Sequence, residues 1–216
     1  MIPIGANEML FLMQGLKWTV ALAAIGFVGG GVFGILIALA RTAKRKWSRT
    51  LTAGYIWVFQ GTPLLMQLFV VYYGVALFGL SIPAWVAVAI AFTLHASAFL
   101  GEIWRGSIEA VPKGQTEAAN ALGLHYVSRM KDIILPQALK ISLPATIGFL
   151  VQLIKGTSLA AIVGFIELAR AGQIISNQTY RPLLVFTIVG LIYFALCWPL
   201  SRLGARLESR MAKAAR

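Results

Sequence analysis

Charge is scarce in this sequence. Only 12% of its 216 residues are Asp, Glu, Lys or Arg, against about 25% in a soluble domain. The shortage is one-sided, with 7 acidic residues against 19 basic ones and a net charge of +12. At 59% hydrophobic residues and a mean hydropathy of +0.80, too little polar surface is left for a water-soluble fold, so the chain reads as an integral membrane protein. Its one cysteine, Cys197, excludes a disulfide framework and any multi-cysteine metal site. No G-x-x-x-x-G-K-[ST] run occurs, so the chain has no Walker A loop and no ATPase site of its own. A basic segment followed by a small-residue cleavage site is missing near the N-terminus, which argues against a removable signal peptide. Without internal repeats or low-complexity tracts, residues 1–216 read as a single transmembrane domain.

What is present is a set of long apolar runs. About 20 such residues cross a bilayer core of roughly 30 Å, and five segments have that length: 18–40, 52–79, 83–103, 141–165 and 183–201. This predicts an all-α protein with five transmembrane helices. The second run is interrupted by Gly61-Thr62-Pro63, a break tolerated at membrane depth where the backbone is buried in protein or lines a cavity. Lys and Arg gather in short cytoplasmic loops. Arg41, Lys44, Arg45, Lys46 and Arg49 follow the first run; Arg105, Lys113, Arg129, Lys131 and Lys140 lie between the third and fourth; Arg202, Arg206, Arg210, Lys213 and Arg216 follow the fifth. These 15 of the 19 basic residues fall on one side of a five-span topology, predicting an outside N-terminus and a cytoplasmic C-terminus. Placed between apolar runs, they are topology signals; a nucleic-acid partner needs a basic face on a soluble fold and is excluded.

Depth follows from the rise of about 1.5 Å per helical residue. Counting along the runs places Gln60 and Thr62 near the bilayer middle and Gln67 somewhat outside it. Thr93, His95 and Ser97 are mid-depth, with Glu102 near the cytoplasmic edge and within reach of Arg105 one turn later. Gln152 is central, with Lys155 and Ser158 farther out. Polar side chains from three spans therefore converge beside a broken helix, where transporter sites are commonly built. An intramembrane lysine is costly and points to function, whereas glutamines also serve as hydrogen bonds between helices. His95 has no second ligand at metal spacing and reads as a packing residue. Gly26, Gly29, Gly30, Gly31 and Gly34 have the small-residue spacing of a close helix contact.

The longest polar insertion, about 105–140, is punctuated by Pro112, Gly114, Gly123 and Pro136. Within it Gln115 to Leu122 favours a short helix through its alanines, with Gly123 where a left-handed cap belongs. The physics leaves open whether this helix docks a partner or lies on the membrane surface.

Glu117-Ala118-Ala119, Gly123, Ile133 and Leu135-Pro136 reproduce the EAA---G---------I-LP pattern of ABC importer permeases. Gly61-Thr62-Pro63-Leu64-Leu65, Val111-Pro112-Lys113-Gly114-Gln115, Lys155-Gly156-Thr157-Ser158-Leu159 and Glu167-Leu168-Ala169-Arg170-Ala171-Gly172-Gln173 resemble the polar amino acid uptake branch, the histidine/glutamine/arginine-type permeases. The resemblance spans about residues 15–205. It implies a type I importer in a bacterial cytoplasmic (inner) membrane: two permeases, of the same or related chains, with two cytoplasmic ATPase subunits that bind ATP and Mg and an extracytoplasmic solute-binding protein. This chain would carry no cofactor. Gly114, Glu117, Ala118, Ala119 and Gly123 would form the coupling helix, with Glu117 as an anchoring charge, Ala118 and Ala119 allowing close approach to the ATPase, and Gly123 turning the chain. Gln60, Thr62, Gln67, His95, Ser97, Glu102, Gln152, Lys155 and Ser158 would line the solute path. Two positions depart from the family, Gln60 where Arg is usual and Gly156 where Asp is usual, implying little charge recognition by this subunit.

Overall fold

The computed structural model describes residues 5–43 and 45–214. Lys44 and Arg216, two of the basic topology residues, lie outside the described residues. Helices α1 (Ala6–Thr42), α2 (Lys46–Gly61), α3 (Leu64–Leu77), α4 (Ala84–Glu109) and α5 (Lys113–Ala121) come first. A continuous rod, Tyr126–Val163, follows; it consists of α6 (Tyr126–Ser128), a π-helical turn Arg129–Ile134, α7 (Leu135–Gly156) and a 3-10 turn Thr157–Val163. Then come α8 (Leu168–Thr179) and α9 (Pro182–Ala214). No strand occurs among the described residues. Among the described residues, four helical elements are long and apolar enough to cross a membrane, and the pair α2 and α3 makes a fifth if counted together.

The spans run longer than hydropathy predicts. The first begins at Ala6 instead of 18, because Leu12 and its neighbours pack on α8 and α9 and the Glu8 carboxylate accepts the Gly5 N–H at 2.8 Å. The fourth begins at Tyr126 instead of 141, inside the polar insertion. Pro136 lacks the N–H that the helical ladder needs, and just before it the turn widens: Leu135 N–H bonds back to Met130 C=O. The largest correction is to 52–79. Its halves meet at Gly61-Thr62-Pro63 with a bend of 102°, so a straight depth count fails beyond Gly61.

α4 is the central helix, in contact with α1, α2, α3 and α7. Its Phe92, Ala96 and Leu100 are fully buried. Opposite them, Gly26, Gly30 and Gly34 repeat every four residues on α1, so that the two backbones meet closely. A Cβ added at Gly30 would lie 2.3 Å from the Ala96 Cβ. α9 runs antiparallel to α7: Cys197 packs with Val151 and Ile154, and farther along α9 Gly204 packs near Ile147, earlier on α7. The described basic clusters therefore share one end of the bundle. Leu183, Leu191 and Phe194 on α9 remain exposed, as do Val28 and Val32 on α1, an apolar exterior suited to acyl chains.

Candidate functional site

At the basic end, α5 forms a short helix set apart from the bundle. Its C-terminus closes as the sequence predicts: Gly123 has φ +71°, Leu124 N–H bonds to Ala119 C=O and Gly123 N–H to Asn120 C=O, both at 3.0 Å. This paired arrangement needs a left-handed residue, the conformation glycine adopts without strain. Gly114, Glu117, Ala118 and Gly123 are exposed, while Ala119 is only 1% exposed. Ala119 therefore faces its own chain, which corrects the expectation that both alanines lie on the approach face. The helix is fastened to the rod through Asn120, which accepts from Arg129, and Gln115, which accepts from Gln137 Nε2 at 3.3 Å.

The break between α2 and α3 is closed by one side chain. Gln67 Nε2 donates to Phe59 C=O at 2.8 Å and to Thr62 C=O at 3.0 Å, and Thr62 Oγ1 is also within 3.0 Å. These are carbonyls that the end of α2 leaves without helical partners. With the amide nitrogen so occupied, Gln67 Oε1 faces His95 Nδ1 at 3.0 Å. An amide oxygen only accepts, so Nδ1 carries the proton. The His95 ring lies 4.5 Å from that of Phe99. Gln67 is thus level with His95, not farther out as the straight count placed it. Ser97 is shut in similarly, 2.7 Å from the Tyr55 hydroxyl, which donates to Leu94 C=O at 2.9 Å. Thr62 Oγ1 donates to Val58 C=O at 2.7 Å. Gln67, His95 and Ser97 form a packed wall between helices, with Thr62 exposed at the break.

The other polar residues face outward. Gln60 and Glu102 line one cleft of about 320 Å³ with Gly106 and Ala145. Glu102 is held by Arg105, whose Nε donates to Oε2 at 2.8 Å and Nη2 to Oε1 at 2.5 Å; Arg105 also bridges to Glu109. From Ala145 an exposed stripe runs up α7 through Gly148, Gln152 and Lys155 at helical spacing. Ser158 lies beyond it, donating to Lys155 C=O at 2.8 Å. Gln60, Glu102, Gln152 and Lys155 therefore belong to one open face, apart from the packed wall.

Sequence reasoning missed Glu167 as a structural centre. Fully buried, its carboxylate caps α8 by accepting from Ala169 and Arg170 N–H, both at 2.8 Å, and accepts from the Tyr193 hydroxyl at 3.0 Å. Thr19 completes the junction, lying 3.5 Å from the carboxylate and accepting from Leu168 N–H at 3.1 Å. The spacing of Leu168, Ala171, Gly172, Ile175, Ser176 and Thr179, all buried, was the available signal for an amphipathic helix.

A membrane bundle with a tethered EAA helix at its basic end is the architecture on which the comparisons bear. Residues 30–213 match the family of binding-protein-dependent transport system inner membrane components. The chain belongs to this family. It is a permease subunit of the ABC importer type, the membrane component and not the ATPase. The permease is 36% identical over 187 residues to the probable amino-acid ABC transporter permease protein YckA of Bacillus subtilis (strain 168), covering 87% of this chain and 83% of that one. It is 34% identical over 202 residues to the arginine transport system permease protein ArtQ of the same organism, covering 93% and 92%. A solved structure titled "Crystal structure of an amino acid ABC transporter with histidines" superposes with a TM-score of 0.86 at 34% identity, covering 97% of this chain and 100% of that one. The permease is thus an integral inner-membrane protein of a transport system that includes ATPase and binding-protein partners.

Proposed function

We propose that this permease imports polar amino acids, and that its basic end with α5 faces the cytoplasm of a bacterium while its N-terminus is outside. The clustering of basic residues at one end supports that orientation. α5 seats in a groove of an ATPase subunit, presenting Glu117 and Ala118 with Gly114 and Gly123 at its ends. The ATPase pair binds ATP and Mg, and its closure moves α5. Fastened through Asn120 and Gln115, α5 carries the rod Tyr126–Val163 with it. At about 1.5 Å per residue its 38 residues reach farther than a bilayer is thick, and it bears Gln152 and Lys155. The observation that carries this reading is the tether between α5 and the rod, which links α5 to the helix that bears the open face.

The solute path runs along the face of Gln60, Glu102, Gln152, Lys155 and Ser158, with exposed Thr62 at the break beside it and the wall of Gln67, His95 and Ser97 behind. A second permease, of the same or a related chain, covers this face, and an extracytoplasmic binding protein delivers the solute. Gln60 and Gly156 add no charge to the path and Glu102 is paired with Arg105, so Lys155 is the charge this subunit brings to it and the rest of the selection by charge falls to the partners. The test is reconstitution with ATPase and binding protein in vesicles. ATP-dependent uptake of a labelled polar amino acid is expected, with Glu117→Ala reducing it. Uptake without ATP, or none for any polar amino acid the binding protein holds, overturns the reading.

A further inference from the structure

Two hollows adjoin at the basic end of the bundle and neither belongs to the open face. One, of about 450 Å³, lies between α1, α4 and the base of the rod, walled by Ile35, Leu39, Trp104, Leu135 and Leu139 with Lys131 as its charged residue. The other, of about 240 Å³, is lined by Arg41, Arg49 and Arg129 with Glu109 as the opposing carboxylate. They share Ile108, and on α1 the lining passes from Leu39 to Arg41, on the rod from Leu135 to Ile134. An apolar chamber thus abuts a basic one.

We infer that the paired hollows hold an anionic phospholipid, its acyl chain in the apolar chamber and its phosphate among Arg41, Arg49 and Arg129. Three features select this occupant. Ile35 and Leu139 are 51% and 60% exposed, so the apolar chamber opens on the exterior that acyl chains bathe. Its residues flank the ends of the apolar runs, the level of the bilayer boundary, where basic pockets between helices take lipid head groups. The guanidiniums also outnumber their partners: Glu109 is already bridged by Arg105. Arg129 donates to Asn120 and lies over the Tyr126 ring, and Arg41 donates through Nη1 to Arg49 C=O at 3.3 Å. The Arg41 Nε is buried without any hydrogen-bond partner. A phosphate in the hollow pairs with these guanidiniums, the groups suited to it.

The test uses the transporter purified with its partners, exchanged into detergent containing either phosphatidylglycerol or phosphatidylcholine, with retained lipid counted by native mass spectrometry. Selective retention of phosphatidylglycerol is expected. Removing one cation near a lipid surface weakens anionic binding about fivefold, so Arg41→Gln lowers retention by that order. Leu139→Trp, at an exposed wall that tolerates bulk, fills the chamber and lowers retention while leaving the arginines in place. Equal retention of the two lipids overturns the inference, as does unchanged retention in both variants. Phosphate displacing the lipid from wild type and binding Leu139→Trp equally well reassigns the hollow to a soluble anion. Loss of the ATPase from Arg41→Gln with lipid unchanged makes it part of the ATPase seat.

Discussion

Gln67 joins His95 across the bent pair, amide oxygen to Nδ1 at 3.0 Å, while its nitrogen holds the carbonyl end of α2. One side chain therefore fixes both the bend and its attachment to α4. Gln67→Leu leaves part-buried carbonyls without their donor, at a cost of up to about 1–3 kcal/mol each. A clear fall in the thermal midpoint of the purified complex is expected. Gln60→Leu, on the exposed cleft, stays within about 0.5 kcal/mol of wild type while altering uptake. Equal midpoints for the two variants contradict the division between wall and path.

The seam of α1 on α4 depends on Gly30. Gly30→Leu drives a side chain into Ala96 and the α4 backbone, and overpacking of this kind costs about 1–3 kcal/mol or more. Gly31 is the control: a Cβ there comes no closer than 3.6 Å, to the Trp104 ring. Expression and thermal stability of Gly31→Ala should match wild type, with Gly30→Leu far below both.

Glu167 is the junction of α1, α8 and α9. Glu167→Ala leaves two α8 N–H groups and the Tyr193 hydroxyl without their acceptor, each costing about 1–3 kcal/mol where water cannot reach. Tyr193→Phe removes one hydrogen bond, worth about 1 kcal/mol. Thermal unfolding should rank the variants wild type, Tyr193→Phe, Glu167→Ala; the reverse order contradicts the cap.

The Gly123 turn sets the angle of α5. Gly123→Val forces a β-branched residue to φ +71°, a strain of about 1–2 kcal/mol, and the chain relaxes by undoing the turn. ATP-driven uptake should fall sharply while span packing, read by circular dichroism, is retained. Intact uptake would show that the turn is dispensable.

Much of this was legible in the sequence for simple reasons. Apolar runs reveal spans because the bilayer demands them, Gly61-Thr62-Pro63 reveals a break because proline removes a donor, and Gly123 reveals a cap because its position follows a short alanine-rich helix. The family match at residues 30–213 is the one the EAA pattern implied. What was hidden depends on contacts distant in sequence. The 102° bend rests on Gln67 meeting His95, which hydropathy does not register. Ala119 turns inward because of the rod, so the EAA triplet alone does not say which alanine is exposed. Arg41, Arg49 and Arg129 looked like topology signals and became a lined hollow only once α1, α2 and the rod were side by side.

Thiol labelling reports on the docking face of α5. The native Cys197 is buried, so a cysteine introduced at exposed Ala118 stands out against a quiet background. In the permease without its ATPase, Ala118→Cys should react rapidly with a polar maleimide, whereas Ala119→Cys should stay unreactive. On assembly with the ATPase, labelling at 118 should fall sharply, because the centre of a packed interface is closed to solvent. Labelling at 118 that continues unchanged in the assembled, ATP-hydrolysing transporter would contradict the assignment of α5 as the helix that couples ATPase to permease.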